Sequence, residues 1–318
     1  MSSAAGTSDE VDTVQRSLST SAPAWCSYYG VTCNSNSTSA TYASVTSIIL
    51  EDLSLTGSIP DSIGSLTSLT SLSFFVNNLN GIIPSSIGSL TSLTSIDLYF
   101  NTLAGTIPSS IGSLTSLTSI VLEYNTLAGT IPSSIGSLTS LQILSLSSNS
   151  LTGTIPSSIG SLTSLHSFDF SSNSLNGRIP SSIELLTSLT YLIIYGNKLN
   201  GTIPSSIGLL TSLQWLLLSS NKLTGTIPST FSKLIRLSDL RLYNNYLTMG
   251  SATTVPNSTF SSATLSGNLV LSNNCLAFTY GSISVSVTHC APTSGRSIIL
   301  YEYAYEYAYE YVLIRKIV

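Results

Sequence analysis

Few side chains in this sequence are of a type and spacing that could do chemistry. There are two histidines, His166 and His289, and four cysteines, Cys26, Cys33, Cys275 and Cys290. Cys275, His289 and Cys290 come nearest to a zinc ligand set, but the paired ligand spacing of zinc sites is missing. His166 has no Cys or His at ligand distance and stands where other copies of a repeat carry Thr118, Gln142, Thr190 and Gln214, so it reads as a surface substitution. Asp97 and Glu123 would lie on neighbouring segments of a stacked chain and could approach like the carboxyl pair of a glycosidase; nothing else supports hydrolysis, and solvated acids are the expectation. No catalytic residue, metal or cofactor is expected.

The cysteines are better read structurally. They form two close pairs, one before and one after a long repetitive region. That placement fits two capping disulfides, Cys26–Cys33 and Cys275–Cys290, in an oxidising compartment, with four free thiols as the alternative. The opening "MSSAAGTSDEVDTVQRS" has no apolar core of the kind a secretory signal needs. A true start upstream of Met1 would reconcile the two. The sequons at Asn36, Asn200 and Asn257 are glycosylation candidates only in a secreted chain.

The elements that would carry any surface come from repetition. Pro60, Pro84, Pro108, Pro132, Pro156, Pro180, Pro204 and Pro228 are each 24 residues apart, and a unit reads LxxLxxLxLxxNxLxGxIPxxIGx. A fixed period of this length implies coils that stack on one another, since one unit alone cannot bury its apolar face. "SIDLYF" alternates and predicts a short strand, with Ile96 and Leu98 inward and Ser95, Asp97 and Tyr99 outward. Equal spacing and common direction predict a parallel sheet. The recurrent Asn, from Asn77 to Asn245, is expected to bond to backbone at the bend and form a ladder. The recurrent Gly, from Gly81 to Gly225, suits a turn of unusual dihedrals. "SSIGSLTSL" is too short and Ser-rich for a long helix and predicts a helical turn or 3₁₀ segment on the outer side.

Charged residues make up 8% of the 318-residue chain, against about 25% in an average domain. With a net charge of −4 and no basic stripe, nucleic acid is not an expected partner. Mean hydropathy is +0.37, yet no apolar run reaches the ~18 residues of a membrane span, so the apolar excess belongs inside the stack.

The "LxGxIPxxIGxL" limb resembles the plant-type leucine-rich repeat of receptor-like proteins, receptor kinases and polygalacturonase inhibitors, over about residues 42–249. "WCSYYGVTC" (25–33) resembles the N-terminal cap of that family. The resemblance implies a right-handed α/β solenoid with a concave parallel sheet that binds ligands or partners. The chain divides accordingly into a leader (1–21, helical or disordered), a cysteine cap (22–41), repeats (42–249), a C-terminal cap with a last partial repeat (250–292) and a Tyr/Glu/Ala tail (293–318). No kinase signature or membrane span follows the repeats, and the Ser/Thr-rich units are more uniform than those of familiar plant receptors.

Copies of the repeat can be compared within the chain. The Thr of "LTSL" is the same in seven units, whereas the outward position between the two strand leucines is Ser73, Asp97, Val121, Ser145, Asp169, Ile193, Leu217 and Arg241. Variation that falls mostly on the concave face points to recognition there. Phe75, Tyr99, Phe100 and Tyr124, with Asp97 and Glu123, form an N-terminal patch. A polar middle around Asp169 follows, and then a C-terminal patch of Tyr191, Tyr195, Trp215, Tyr243 and Arg241. Aromatic residues and Arg on a rigid sheet are typical anchors. The expected function is non-catalytic recognition of a protein or peptide, with a cell-wall glycan or secreted enzyme as other partners, at an extracellular or cell-surface location, with the cytoplasm as the alternative. The rival is a structural or ice-binding surface built on the Thr of "LTSL", although an outer limb would spread those Thr beyond strand spacing. The tail "YEYAYEYAYEYVLIRKIV" reads as a simple-sequence expansion, with sheet-edge extension as the alternative, and is assigned no function.

Overall fold

The computed structural model describes residue 26, residues 28–34 and 44–248, and the backbone of the strands Asn268–Val270, Phe278–Tyr280 and Ile283–Val285. The leader, most of the C-terminal cap and the tail lie outside the described residues, as do Cys275, Cys290, His289, Asn36 and Asn257.

The repeats stack as a right-handed solenoid. An 11-stranded sheet runs from Val31–Asn34 and Ser44–Ile49 through one short strand per unit, such as Ser95–Asp97, to Asp239–Arg241 and Asn268–Val270. The first pair is antiparallel; from Ser44–Ile49 onward each strand is parallel to the next, in register by one period up to Asp239–Arg241, whose partner Asn268–Val270 lies 29 residues on. Asn268–Val270 adds a strand beyond the last full unit, with Leu269 beside Leu240. Cys26 and Cys33 are joined by a disulfide at the head of the array.

Inside, the leucine and isoleucine columns form one continuous apolar core, and Phe74, Phe168 and Phe170 fill it where a unit has an aromatic in place of leucine. The Asn ladder closes the bend. Asn101 accepts from the Leu79 N–H through Oδ1 and donates through Nδ2 to the carbonyls of Phe74, Leu98 and Tyr99, thereby tying its own coil to the one before. On the convex side each Ile-Pro leads into a five-residue 3₁₀ helix, such as Ser109–Ser113, because proline in extended geometry starts the segment without needing an N–H partner. Thr67, Thr91 and Thr115 are exposed there, and the hydroxyl-to-carbonyl rungs of this limb fall instead on Thr70, Thr94 and Thr118.

Two features were not legible in the repeat pattern. The segment after each Asn forms its own lateral ladder of parallel strands, among them Ala128–Thr130 with Ser150–Thr152, and Lys198–Thr202 with Lys222–Thr226. The recurrent Gly sits inside this ladder, with φ of +73° to +76° at Gly105, Gly129 and Gly153. In addition, the residue just before each ladder Asn takes a left-handed conformation, including Val76, Phe100 and Tyr124, with Gly196 filling the same slot once.

The coils approach most closely at the 3₁₀ helices. A methyl group at Gly112, Gly136 or Gly160 would sit 2.5–2.6 Å from a backbone oxygen of the next coil. This contact lets Ser134, Ser158 and Ser182 donate to the carbonyls of Ser109, Ser133 and Ser157 at 2.6–2.7 Å. The rung is missing at Ser206, whose preceding coil has Glu184 where the coils before it have Gly, and at Ser86, for which nothing in the structure gives a reason.

Candidate functional site

The strands end where the chain turns left-handed, and that geometry aims the residues around the bend across the concave face. It brings the four N-terminal aromatics into one cluster. The Phe75 and Tyr99 rings stack at 5.0 Å, Tyr99 meets Tyr124 edge-on at 5.4 Å, and Phe100 lies 6.0 and 6.1 Å from Tyr99 and Tyr124. Tyr99 is buried at the base, Phe75 and Tyr124 are half-buried, and Phe100 is the open member at 52% exposure. Parallel strands at about 4.8 Å spacing place one ring over the next, so a column of single residues becomes a continuous apolar surface.

The acids beside the cluster are not the solvated groups expected from the sequence. Asp97 is half-buried between coils, and its pKa is raised to about 6, first by desolvation, with the Tyr99 N–H acting against this and the Glu51 charge adding to it. Its Oδ1 accepts the Tyr99 N–H at 3.0 Å. Glu51, two coils before Asp97, accepts from the hydroxyl of Ser73 on the coil between them, which pairs in register with Asp97. Glu123 is 2% exposed and accepts from the Ser145 hydroxyl of the following coil, so its carboxylate is held within the sheet surface. Asp169 is likewise buried, bonded to the N–H and hydroxyl of Ser171 at 2.8 and 2.6 Å.

A wider correction applies to the variable column. Ser73, Val121, Ser145, Asp169, Ile193 and Leu217 face the concave side yet are buried, and only Asp97 and Arg241 are partly open. Side chains one strand apart on the inner curve converge and cover one another, so differences at this position alter packing between coils as well as any surface presented to a partner.

In the C-terminal patch Tyr191 and Trp215 meet edge-on at 5.3 Å. Tyr195 is half-buried and Tyr243 buried, and Ser219 stands between them in the register. Arg241 forms a two-point ion pair with Asp239, with Nε and Nη2 at 3.2 and 3.1 Å from the carboxylate. Charge divides the array. Between Arg16 and Arg178 the sequence has no Lys or Arg but has Glu51, Asp52, Asp61, Asp97, Glu123 and Asp169, whereas Arg178, Lys198, Lys222, Lys233, Arg236 and Arg241 gather in the last coils. That asymmetry was legible in the sequence; the approach of Glu51 to Asp97 was not, because the two are on different coils.

The remaining candidates stand apart from these patches. His166 is exposed and its Nδ1 donates to the Ser164 carbonyl at 2.7 Å. Asn200 is exposed on the lateral ladder. Among the described residues no group of three or more His, Cys, Asp or Glu is placed to hold a metal ion, and no helix is long and apolar enough to cross a membrane.

Comparison with known proteins agrees with this architecture. The family described as Leucine rich repeat matches residues 91–151 and 139–199, and single repeats match 68–90 and 212–234. No curated protein matches the chain. Among solved structures, the leucine-rich-repeat ectodomain of the plant membrane receptor kinase GASSHO1/SCHENGEN3 from Arabidopsis thaliana, in complex with CASPARIAN STRIP INTEGRITY FACTOR 2, is 38% identical. That match covers 74% of this chain and 29% of the receptor chain, with a TM-score of 0.69. The plant peptide hormone receptor RGFR1, in complex with RGF2, is 32% identical over 78% of this chain and 45% of its own, with a TM-score of 0.63. A plant ice-binding protein is 26% identical over 85% of this chain and 89% of its own, with a TM-score of 0.60. The chain thus spans less than half the length of the two receptor chains it resembles. Repeat, strand register, 3₁₀ limb and neighbours agree: the chain is a leucine-rich-repeat protein of the plant type.

Proposed function

We propose that this protein is a non-catalytic recognition module that binds a protein or peptide along the concave sheet, outside the cell. The observation that carries the reading is the contiguous aromatic cluster of Phe75, Tyr99, Phe100 and Tyr124, part buried and part open, as binding anchors commonly are. Solved neighbours that are receptor ectodomains in complex with peptide partners support it. They also favour a polypeptide over a cell-wall glycan or a secreted enzyme, and an extracellular place of action. The test is selection of peptides on the folded array from a random display library, followed by calorimetry. Selected peptides are expected to bind wild type, to lose about tenfold in affinity with Phe100→Leu, and to bind a convex-side Ile235→Ser variant unchanged. Ligands that respond to Ile235 and ignore Phe100 would place recognition elsewhere.

A second reading rests on a different surface. On the lateral ladder Thr130 stands beside Thr152, Thr202 beside Thr224 and Thr226 beside Thr248, at hydrogen-bonded strand spacing. This is the tight Thr array that the outer limb does not supply, and the ice-binding neighbour covers most of this chain. Thermal hysteresis of the purified protein checks it. This reading expects measurable hysteresis that falls when Thr130 is changed to Tyr; no hysteresis would remove it.

A further inference from the structure

The two aromatic patches of the concave sheet differ in their ionic surroundings. In the C-terminal one a cation is already present, since Arg241 is paired with Asp239. The N-terminal one has aromatic rings and carboxylates but no basic residue on any coil of its half of the array. A carboxylate partly withdrawn from water and next to ring faces, on coils whose sequence holds no Lys or Arg, is what a bound ammonium or guanidinium would complement. We propose that the cluster of Tyr99, Phe100 and Tyr124 with Asp97 is a cation subsite that takes an arginine or lysine side chain of a basic, extended peptide.

This rests on the concave-face reading above and narrows its partner. The rings supply the faces: Phe100, the most open, meets Tyr124 at 6.1 Å, and Tyr99 forms the floor. Asp97 ends the strand Ser95–Asp97, two residues before Tyr99, its Oδ1 fixed by the Tyr99 N–H. The charged groups near Asp97 are Glu51 from two coils before and Glu123 from the following coil; Ser73 and Val121, its partners in register, carry no charge. Glu123 is buried against Ser145 and Glu51 stands two coils off on Ser73, while Asp97 bonds the Tyr99 N–H, so Asp97 is the carboxylate held at the rings. Binding is therefore coupled to a proton. The free Asp97 carboxyl titrates at about 6, a cation favours its ionised form, and affinity rises with pH through that value and levels off above it.

The probe is a fluorescent Gly-Arg repeat peptide, with Gly-Glu and Gly-Ser counterparts, titrated by anisotropy against the full chain. The arginine peptide is expected to bind and the glutamate peptide not to. Phe100→Leu and Asp97→Asn should each weaken binding about tenfold. Asp61→Asn, an equal loss of charge on the 3₁₀ helix Asp61–Ser65, should leave it unchanged. Lowering the pH from about 7 to about 5 should weaken binding in wild type and much less in Asp97→Asn. The inference is overturned if the arginine peptide fails to bind at millimolar concentration, or if Asp61→Asn weakens it as much as Asp97→Asn, which would mean general attraction to an acidic surface. A neutral or acidic peptide whose binding depends on Phe100 would overturn the cation subsite and leave concave recognition standing. If binding of no peptide depends on Phe100, both fall.

Discussion

Replacing Asn125 with alanine is expected to destabilise the array by about 3–5 kcal/mol, as read from chemical denaturation followed by circular dichroism. The side chain is buried and makes four bonds. Its Oδ1 accepts from the Leu103 N–H, and its Nδ2 donates to the carbonyls of Leu98, Leu122 and Glu123. Alanine removes all four, so each buried backbone group loses its partner, at about 1–3 kcal/mol apiece before relaxation. Asn125→Asp separates this account from a simple loss of polarity. Aspartate keeps the acceptor for Leu103 but turns an acceptor toward three carbonyls, so it should be at least as damaging as alanine. A stable Asn125→Asp variant would refute the ladder as the source of the effect. Because each coil contacts only its neighbours, the loss should also make the transition less cooperative, with the two halves of the array melting apart.

Gly136→Val is the second large expected effect, a loss of about 3 kcal/mol. The added Cβ would stand 2.5 Å from the Ser158 carbonyl oxygen and 2.7 Å from its Cβ. The opposing atom belongs to the backbone and cannot rotate away, so the coils must separate and the Ser158 to Ser133 rung is lost with them. The chain contains the reciprocal case. Glu184 fills the equivalent position, and the Ser206 hydroxyl of the following coil is buried without a partner. Glu184→Gly should therefore raise the midpoint of thermal unfolding, by the worth of about one hydrogen bond, near 1 kcal/mol. If the two changes move stability in the same direction, close approach at the glycine is not what sets this contact.

The 24-residue period, the parallel strands, the 3₁₀ limb and the Asn ladder were all determined by the sequence. Each follows from contacts within a coil or between a coil and its neighbour that recur with the period, and such contacts are the same in every coil. The cluster of Phe75, Tyr99 and Tyr124 was legible for the same reason. The lateral ladder was not, because its strands are short and interrupted by a glycine at positive φ, and only stacking supplies their hydrogen-bond partners. Nor were the environments of the acids. Glu123 and Asp169 alternate to the outward side as the strand pattern requires, yet hydroxyls at Ser145 and Ser171 and the inner curvature bury them. Periodicity tells which face a side chain leaves from; how much water reaches it depends on the neighbours that curvature brings over it, and that is settled only when the coils are stacked.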